Sequence, residues 1–149
     1  MDWLVLIEGI VDRFYLGQMI RTAYASGAQA ILLNDRDWSS VESTLLKSSA
    51  GAFDRINIVL MKDVVNDLSL LRKSGFKLVS ALRNENSISH QKLVFPKQSI
   101  LAIGGELRGL SRAVKDASDI SVEIKYPNAA KVALNAVSAC AILCFKHVQ

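Results

Sequence analysis

This sequence lacks a run long enough to cross a membrane. Its longest helix-like apolar stretch, VALNAVSACAILCF, is interrupted by Asn135 and Ser138, whereas a spanning helix needs about 20 apolar residues. The first residues do not show the basic segment, apolar core and small-residue cleavage site of a secretory signal. We therefore expect a soluble protein of the cytoplasm, without a membrane partner.

Cysteine and proline are both scarce, with two of each in 149 residues. Cys140 and Cys144 are four residues apart in an apolar helical pattern, which predicts buried, reduced thiols. Without a CxxC pair, the sequence predicts no metal site. The low proline content and a hydrophobic fraction of 50% exclude a disordered chain and fit one domain, residues 1–149.

Charge of one sign is only slightly in excess, with a formal net charge of +4 and a pI near 9.2. Such an excess fits a polyanionic partner. It equally fits an ordinary surface with a few extra lysines. Charge alone leaves both interpretations open.

Apolar, β-branched runs alternate with helical patterns along the whole chain. The runs are nearly continuous, which is typical of strands buried on both faces of a parallel sheet. The predicted strands are 3–10, 28–34, 56–61, 77–82, 99–104 and 120–124. The predicted helices are 16–26, 39–48 opened by a Ser39–Glu42 capping box, 63–74, 111–117 and 130–147. The sequence therefore predicts an α/β fold with a mostly parallel sheet and flanking helices.

The stretch SILAIGGELRGLS, residues 99–111, places a glycine-rich loop at the end of a predicted strand. It matches neither GxxxxGK[ST] nor GxGxxG, and its glutamate would repel a pyrophosphate. Ligands of parallel sheets bind at the carboxyl ends of strands, so the loop suits a neutral or cationic ligand. A plain strand-to-helix turn explains the same residues.

Two further polar positions stand in apolar helical patterns. Arg21 lies four residues after Gly17, on the same helical face, and could be a site residue or a surface arginine. Asn135 opens the last predicted helix, where it could act in a site, cap the helix or hydrogen-bond within the core.

Taken together and in this order, the three regions resemble the three motifs of the SpoU/TrmH family of RNA ribose methyltransferases, in the SPOUT superfamily. The matching residues of the first motif, D-x-x-N-x-G-x-x-x-R-T-A, are Asp12, Gly17, Arg21, Thr22 and Ala23. Those of the second, G-x-E-x-x-G-L, are Gly104, Glu106, Gly109 and Leu110. Those of the third, a strand-end isoleucine followed by S-L-N, are Ile124, Leu134 and Asn135, and SSAGA at 48–52 is also family-like.

The resemblance implies a fold with a deep trefoil knot near the C-terminus, a homodimer, S-adenosylmethionine as cofactor, and a ribose 2′-hydroxyl of tRNA or rRNA as acceptor. The cofactor-binding residues it implies are Gly104, Gly105, Ile124 and Leu134. The catalytic residues it implies are Arg21, Glu106 and Asn135. Arg21 would reach from one subunit into the pocket of its partner and stabilise the developing alkoxide there. Glu106 and Asn135 would orient Arg21 or the ribose.

The expected RNA-binding residues are Arg13, Arg108 and Arg112, with Arg36, Lys47, Arg55 and Lys125 as further candidates for phosphate contacts. The chain departs from the family motifs at three positions. Tyr15 replaces an asparagine, Lys125 a proline and Ala133 a serine. These departures motivate an alternative, a weakened or inactive RNA-binding member of the same fold. An unrelated α/β small-molecule binder is the third hypothesis.

Overall fold

In the part of the chain that the structure describes, the sheet consists of seven strands that all run parallel. A computed structural model describes residues 2–128 and 133–149. The strands are β1 (Asp2–Glu8), β2 (Ala30–Asn34), β3 (Asn57–Met61), β4 (Lys77–Ala81), β5 (Ile88–Ser89), β6 (Gln98–Gly104) and β7 (Ile120–Glu123), in the spatial order β3-β2-β1-β6-β4-β7-β5. The predicted parallel α/β fold is confirmed.

Five α-helices connect and cover the strands. They are α1 (Arg13–Ala25), α2 (Glu42–Ser48), α3 (Val64–Lys73), α4 (Arg112–Ala117) and α5 (Ala136–His147). Helices α1, α2 and α5 share one apolar cluster with residues such as Val5 and Ile31. Helices α3 and α4 share a second cluster with residues such as Leu6 and Leu32. Because successive strand residues point to opposite faces, this double cover explains why the strand runs are apolar at nearly every position.

Three details of the predicted elements were wrong. The Ser39–Glu42 capping box does not form, because Ser39–Val41 is a 3₁₀ turn and the backbone N–H of Ser39 donates instead to the Asp37 carboxylate, at 2.9 Å. The two-residue strand β5 is too short to produce a sequence pattern. Helix α5 begins at Ala136, and residues 130–132 of its predicted start lie outside the described residues.

The knot stays a prediction of the resemblance, because the connection between β7 and α5 contains residues 129–132. No helix within the described ranges is long and apolar enough to span a membrane. Cys140 and Cys144 are both buried and form no disulfide with each other, as predicted. Their sulfurs lie 3.7 Å apart.

Asp119 joins three elements at the amino-terminal end of the sheet. Its carboxylate accepts hydrogen bonds from the Arg72 guanidinium at 2.7 Å and from the backbone N–H of Leu78 at 2.8 Å. Partial burial opposes the charged form, but these bonds outweigh it and lower the pKa of Asp119. We therefore expect the charged carboxylate to stabilise the fold.

Asp119→Asn should lower the free energy of unfolding by about 1–3 kcal/mol at neutral pH, measured by urea denaturation. Because the pKa of Asp119 is lower in the folded state, the difference in stability between the two proteins should have its full size above pH about 4. It should shrink as the pH falls further. Asp116→Asn is the control, since Asp116 pairs with Arg112 on the exposed surface and should change stability by less than about 0.5 kcal/mol. Equal effects of the two substitutions would contradict this role of Asp119.

Candidate active site

The loops that follow β1 and β6 meet at the carboxyl ends of these adjacent strands. Register pairs Glu8 with Gly104, the last residue of each strand. The backbone N–H of Gly105 then donates to the carbonyl of Glu8 at 2.9 Å, and that of Gly109 donates back to Gly105 at 2.7 Å. The glycine-rich segment is therefore a closed loop that rests on the end of β1.

Only glycine fits at position 105, because the backbone of Gly9 approaches it closely. A Cβ atom at this position would lie 1.9 Å from the carbonyl oxygen of Gly9. A Cβ at Gly104 would lie 2.4 Å from the backbone of Gly109. The two glycines thus allow the loop to fold back on itself and onto β1.

Glu8 is a residue of this site that sequence reasoning missed. Its side chain is buried, and its Oε1 atom accepts a hydrogen bond from the backbone N–H of Ser111 at 2.7 Å. Ser111 is the N-cap of α4, so Glu8 ties the far end of the glycine loop to the core. The available signal was an acidic residue at the end of an otherwise apolar strand, because buried carboxylates need partners.

Glu106 and Asn135, predicted as catalytic residues, are brought together at the N-terminus of α5. Oε1 of Glu106 accepts from the backbone N–H of Ala136 at 3.1 Å. Oδ1 of Asn135 accepts from the backbone N–H of Ser138 at 2.8 Å, as an N-cap. Both side chains satisfy amides that a helix start leaves unpaired, which confirms the capping interpretation of Asn135.

Asn135→Ala should lower the free energy of unfolding by about 1 kcal/mol, because the Ser138 amide loses its acceptor. Urea denaturation measures the change. Asn135→Asp is the matched control, since aspartate caps equally well and should retain stability. If Asn135→Ala were as stable as the unmodified protein, the cap would not contribute to the fold.

A cleft of about 150 Å³ lies where the loops meet the start of α5; we call it the loop cleft. Asp12 and Tyr15 line it from the first motif, Gly105 and Glu106 from the second, and Ala136 from the third. Asp12 also caps α1, accepting from the backbone N–H of Phe14 at 2.8 Å. All three motif regions therefore converge on one cleft.

A second cleft, of about 250 Å³, lies between β4, β7 and α5; we call it the Ile124 cleft. Its lining includes Val122, Ile124 and Leu143, which are apolar, and Arg83, Glu123 and Tyr126, which are polar. Lys125, through a 2.7 Å ion pair, and Arg83, at 3.1 Å, hold the pKa of Glu123 below its ordinary value. The cleft therefore combines apolar walls with an ionised, charge-balanced rim.

The predicted cofactor-binding residues are distributed between these two clefts. Ile124 lines the Ile124 cleft and Gly105 the loop cleft. Leu134 lies beside the Ile124 cleft, where its backbone N–H donates to the Tyr126 hydroxyl at 2.9 Å. Gly104 packs against the backbone of its own loop.

Arg21 lies apart from both clefts, exposed on α1. It follows Tyr15 by six residues, or about 9 Å along the helix axis. Gly17 of the same motif allows α1 to approach α2, because a Cβ there would lie 1.6 Å from Oγ of Ser48. In the first motif, Gly17 therefore serves helix packing, whereas Arg21 is exposed on the surface of its own subunit.

The predicted RNA-binding arginines are all exposed, in different settings. Arg13 is the first residue of α1. Arg108 lies in the glycine loop. Arg112 forms a surface ion pair with Asp116 at 3.1 Å. Within residues 2–128 and 133–149, no cluster of three metal-ligating side chains occurs.

A family model described as the SpoU rRNA methylase family matches residues 2–145. The chain belongs to the SpoU rRNA methylase family. This SpoU chain is 32% identical, over 131 residues, to a tRNA/rRNA methyltransferase of Archaeoglobus fulgidus that is itself not characterised. The match covers 88% of this chain and 57% of that relative, so the SpoU chain spans little more than half of its length.

Solved structures share the fold of this SpoU chain. A SpoU methyltransferase from Streptomyces viridochromogenes, crystallised with S-adenosylmethionine, has a TM-score of 0.83 at 24% identity, covering 99% of this chain and 57% of that one. An RNA 2′-O ribose methyltransferase has a TM-score of 0.80 at 22% identity, covering 99% and 55%. At these identities the likeness establishes the fold, in agreement with the family match.

Proposed function

We propose that this chain is an S-adenosylmethionine-dependent methyltransferase that modifies a ribose 2′-hydroxyl of tRNA or rRNA. The observation that carries the proposal is the convergence of the three motif regions on the loop cleft, where Glu106 contacts the start of α5. The S-adenosylmethionine bound to one family structure and the ribose methyltransferase activity of another support it.

The Ile124 cleft fits the chemistry of an adenosine. Val122, Ile124 and Leu143 provide apolar walls for a purine. The Tyr126 hydroxyl accepts from Leu134 and has an O–H that can donate, while the Glu123 carboxylate can accept from ribose hydroxyls. When bound, S-adenosylmethionine would supply a methyl group on a cationic sulfonium, which the nearby acidic side chains tolerate.

The chain's own contribution to catalysis would be positioning and electrostatic stabilisation. A ribose hydroxyl is a weak nucleophile until its proton leaves, and a fixed guanidinium stabilises the resulting alkoxide. Arg21 would supply this guanidinium. Glu106 and Asn135 would fix the start of α5, and with it the wall of the loop cleft where the ribose would lie.

A homodimer would bring Arg21 to a cleft that it does not line in its own subunit. Ile142 and Phe145 on α5 are 37% and 46% exposed, and Leu134 beside the helix start is 40% exposed. Apolar side chains exposed along one element suit contact with a second copy. We therefore propose that the site is composite, with Arg21 from one subunit and the clefts from its partner.

Calorimetric titration with S-adenosylmethionine tests the cofactor site. Ala133 lines the Ile124 cleft and is exposed, so Ala133→Arg should fill the cleft without disturbing the core and should abolish binding. Val65→Arg, on the exposed surface of α3, is the matched control and should bind normally. Equal binding by all three proteins would contradict the placement.

The reaction is tested with radiolabelled S-adenosylmethionine and bulk tRNA and rRNA. Nucleosides from the digested product should include 2′-O-methylated ribose, identified by mass spectrometry. Methylation of a base would contradict the ribose assignment. RNA binding without methyl transfer would instead favour the weakened or inactive RNA-binding member. Tyr15 motivates that alternative, because it lines the loop cleft where the family motif has asparagine.

A further inference from the structure

A third cleft, of about 440 Å³, lies at the carboxyl ends of β1 and β2; we call it the Trp38 cleft. Leu33 and Ile10 form apolar parts of its wall, and Asn34, Arg36, Trp38 and Arg108 form polar or aromatic parts. Neither the family motifs nor the mechanism above uses Arg36 or Trp38. The cleft therefore needs its own explanation.

Trp38 is held in a fixed orientation within this cleft. Its indole N–H donates to the carbonyl oxygen of Asn34 at 3.3 Å, and part of its ring packs against the core. The Arg36 guanidinium lies over the ring, 4.4 Å from its centre. An aromatic ring and a planar cation are thus stacked at the cleft before any ligand arrives.

Among the described residues that line the cleft, two arginines outnumber one acidic side chain, so the lining carries a net positive charge. Glu8 lines the cleft, but its buried carboxylate accepts the Ser111 amide. Arg36 approaches from the β2 side and Arg108 from the glycine loop, where the Cβ of Arg108 lies close to Gly9. Two arginines therefore face the same space from opposite sides.

The Trp38 cleft is continuous with the loop cleft. Gly9, Ile10 and Val11 line both. A chain that enters the loop cleft beside Glu106 can therefore continue over the end of β1 toward Trp38.

We propose that the Trp38 cleft binds a nucleotide of single-stranded RNA that adjoins the methylated one. Its base would stack on Trp38 or on the Arg36 guanidinium, because RNA-binding proteins hold unstacked bases on aromatic rings and arginine planes. Its phosphate would contact Arg108. The identity of the strand as RNA rests on the proposed function.

Tryptophan fluorescence tests the stacking directly. The protein has two tryptophans, and Trp3 is only 1% exposed, so a bound base can quench Trp38 alone. A uridine octamer should quench the fluorescence of the unmodified protein and leave that of Trp38→Phe unchanged. Heparin, a polyanion without bases, should not quench either protein. Quenching by heparin, or quenching that persists in Trp38→Phe, would overturn the stacking.

Binding measurements by fluorescence anisotropy test the energetics with a labelled uridine octamer. Trp38→Ala should weaken binding about tenfold, the order of one lost stacking contact. Arg36→Ala should weaken binding by removing a stacking plane. Arg108→Ala should weaken binding and also lower the salt dependence by about one phosphate contact. Lys73→Ala, an exposed lysine at the end of α3, is the control. Unchanged affinity of Trp38→Ala, or no binding of the octamer at millimolar concentration, would overturn the proposal.

Failure of this inference and failure of the proposed function are distinguishable. Trp38→Ala should bind S-adenosylmethionine like the unmodified protein, because the Ile124 cleft is separate. If the protein binds the cofactor and methylates ribose but Trp38 fluorescence is not quenched by RNA, the Trp38 cleft is rejected as an RNA site and the proposed enzyme activity stands. Quenching at Trp38 without methyl transfer would keep the RNA cleft and reject the enzyme.

Discussion

Replacing Arg21 by lysine should reduce kcat for methyl transfer by about 10²–10³, the range seen when one donor to a developing oxyanion is lost. Lysine keeps the positive charge but not the planar, two-pronged guanidinium. Arg21 is exposed and does not line the Ile124 cleft of its own subunit, so the affinity for S-adenosylmethionine should stay unchanged. Single-turnover kinetics and calorimetry measure the two quantities separately.

Arg72→Lys is the matched control, because it makes the same chemical change on α3. It should keep its methyl transfer rate per folded molecule, although the loss of the two-pronged contact with Asp119 should lower its stability. A rate loss in Arg72→Lys equal to that of Arg21→Lys would indicate a general effect of the substitution rather than a catalytic role.

Mixed dimers show whether Arg21 acts on the partner's cleft. Neither Arg21→Ala nor Ala133→Arg should be active alone. An equimolar mixture, unfolded and refolded together, should recover about a quarter of the unmodified activity, because half of the random dimers carry one intact composite site. No recovery in refolded, dimeric protein would place Arg21 and the cofactor in one subunit.

Gly105→Ala should lower both the stability of the fold and the rate of methyl transfer. The added Cβ would lie 1.9 Å from the carbonyl oxygen of Gly9, so the glycine loop must move away from β1. The movement should break the 2.9 Å hydrogen bond from Gly105 to Glu8 and cost about 1–3 kcal/mol of stability. Because Glu106 would move with the loop, methyl transfer should fall at least tenfold even in the folded fraction.

Gly27→Ala separates this clash from the general effect of losing a glycine. Gly27 has a φ of +88°, and its Cβ would meet nothing within 4 Å, so only backbone strain is added, about 1 kcal/mol. Its activity per folded molecule should equal that of the unmodified protein. A Gly105→Ala protein with that same activity would show that the loop geometry does not position the site.

The sequence was sufficient for those parts of the fold that follow from local patterns. Continuous apolar runs located every strand except β5, whose two residues carry no pattern. These strands depend on residue order, which a sequence displays directly. Glu106 and Asn135 were named together only by the resemblance to the family, and the contact of Glu106 with the start of α5 spans 30 residues.

Other parts depend on contacts between distant segments, which one sequence does not display. The hydrogen bond from Ser111 to Glu8 spans 103 residues. The close approach of Gly17 to Ser48 exists only once α1 packs on α2. The capping box does not form for a local reason, because the Asp37 carboxylate accepts from the Ser39 backbone N–H, which the Glu42 side chain would accept from in a capping box.

The position of β6 beside β1 has a consequence for protein synthesis. Gln98 donates to Asp2 across 96 residues of chain, so the centre of the sheet cannot close until β6, which ends at Gly104, has left the ribosome. Until then, β1 can pair only with β2, and its other edge, which includes Leu4 and Leu6, stays open. Uncovered strand edges favour aggregation. A nascent chain that stops before β6 should therefore depend on chaperones more than the finished protein does.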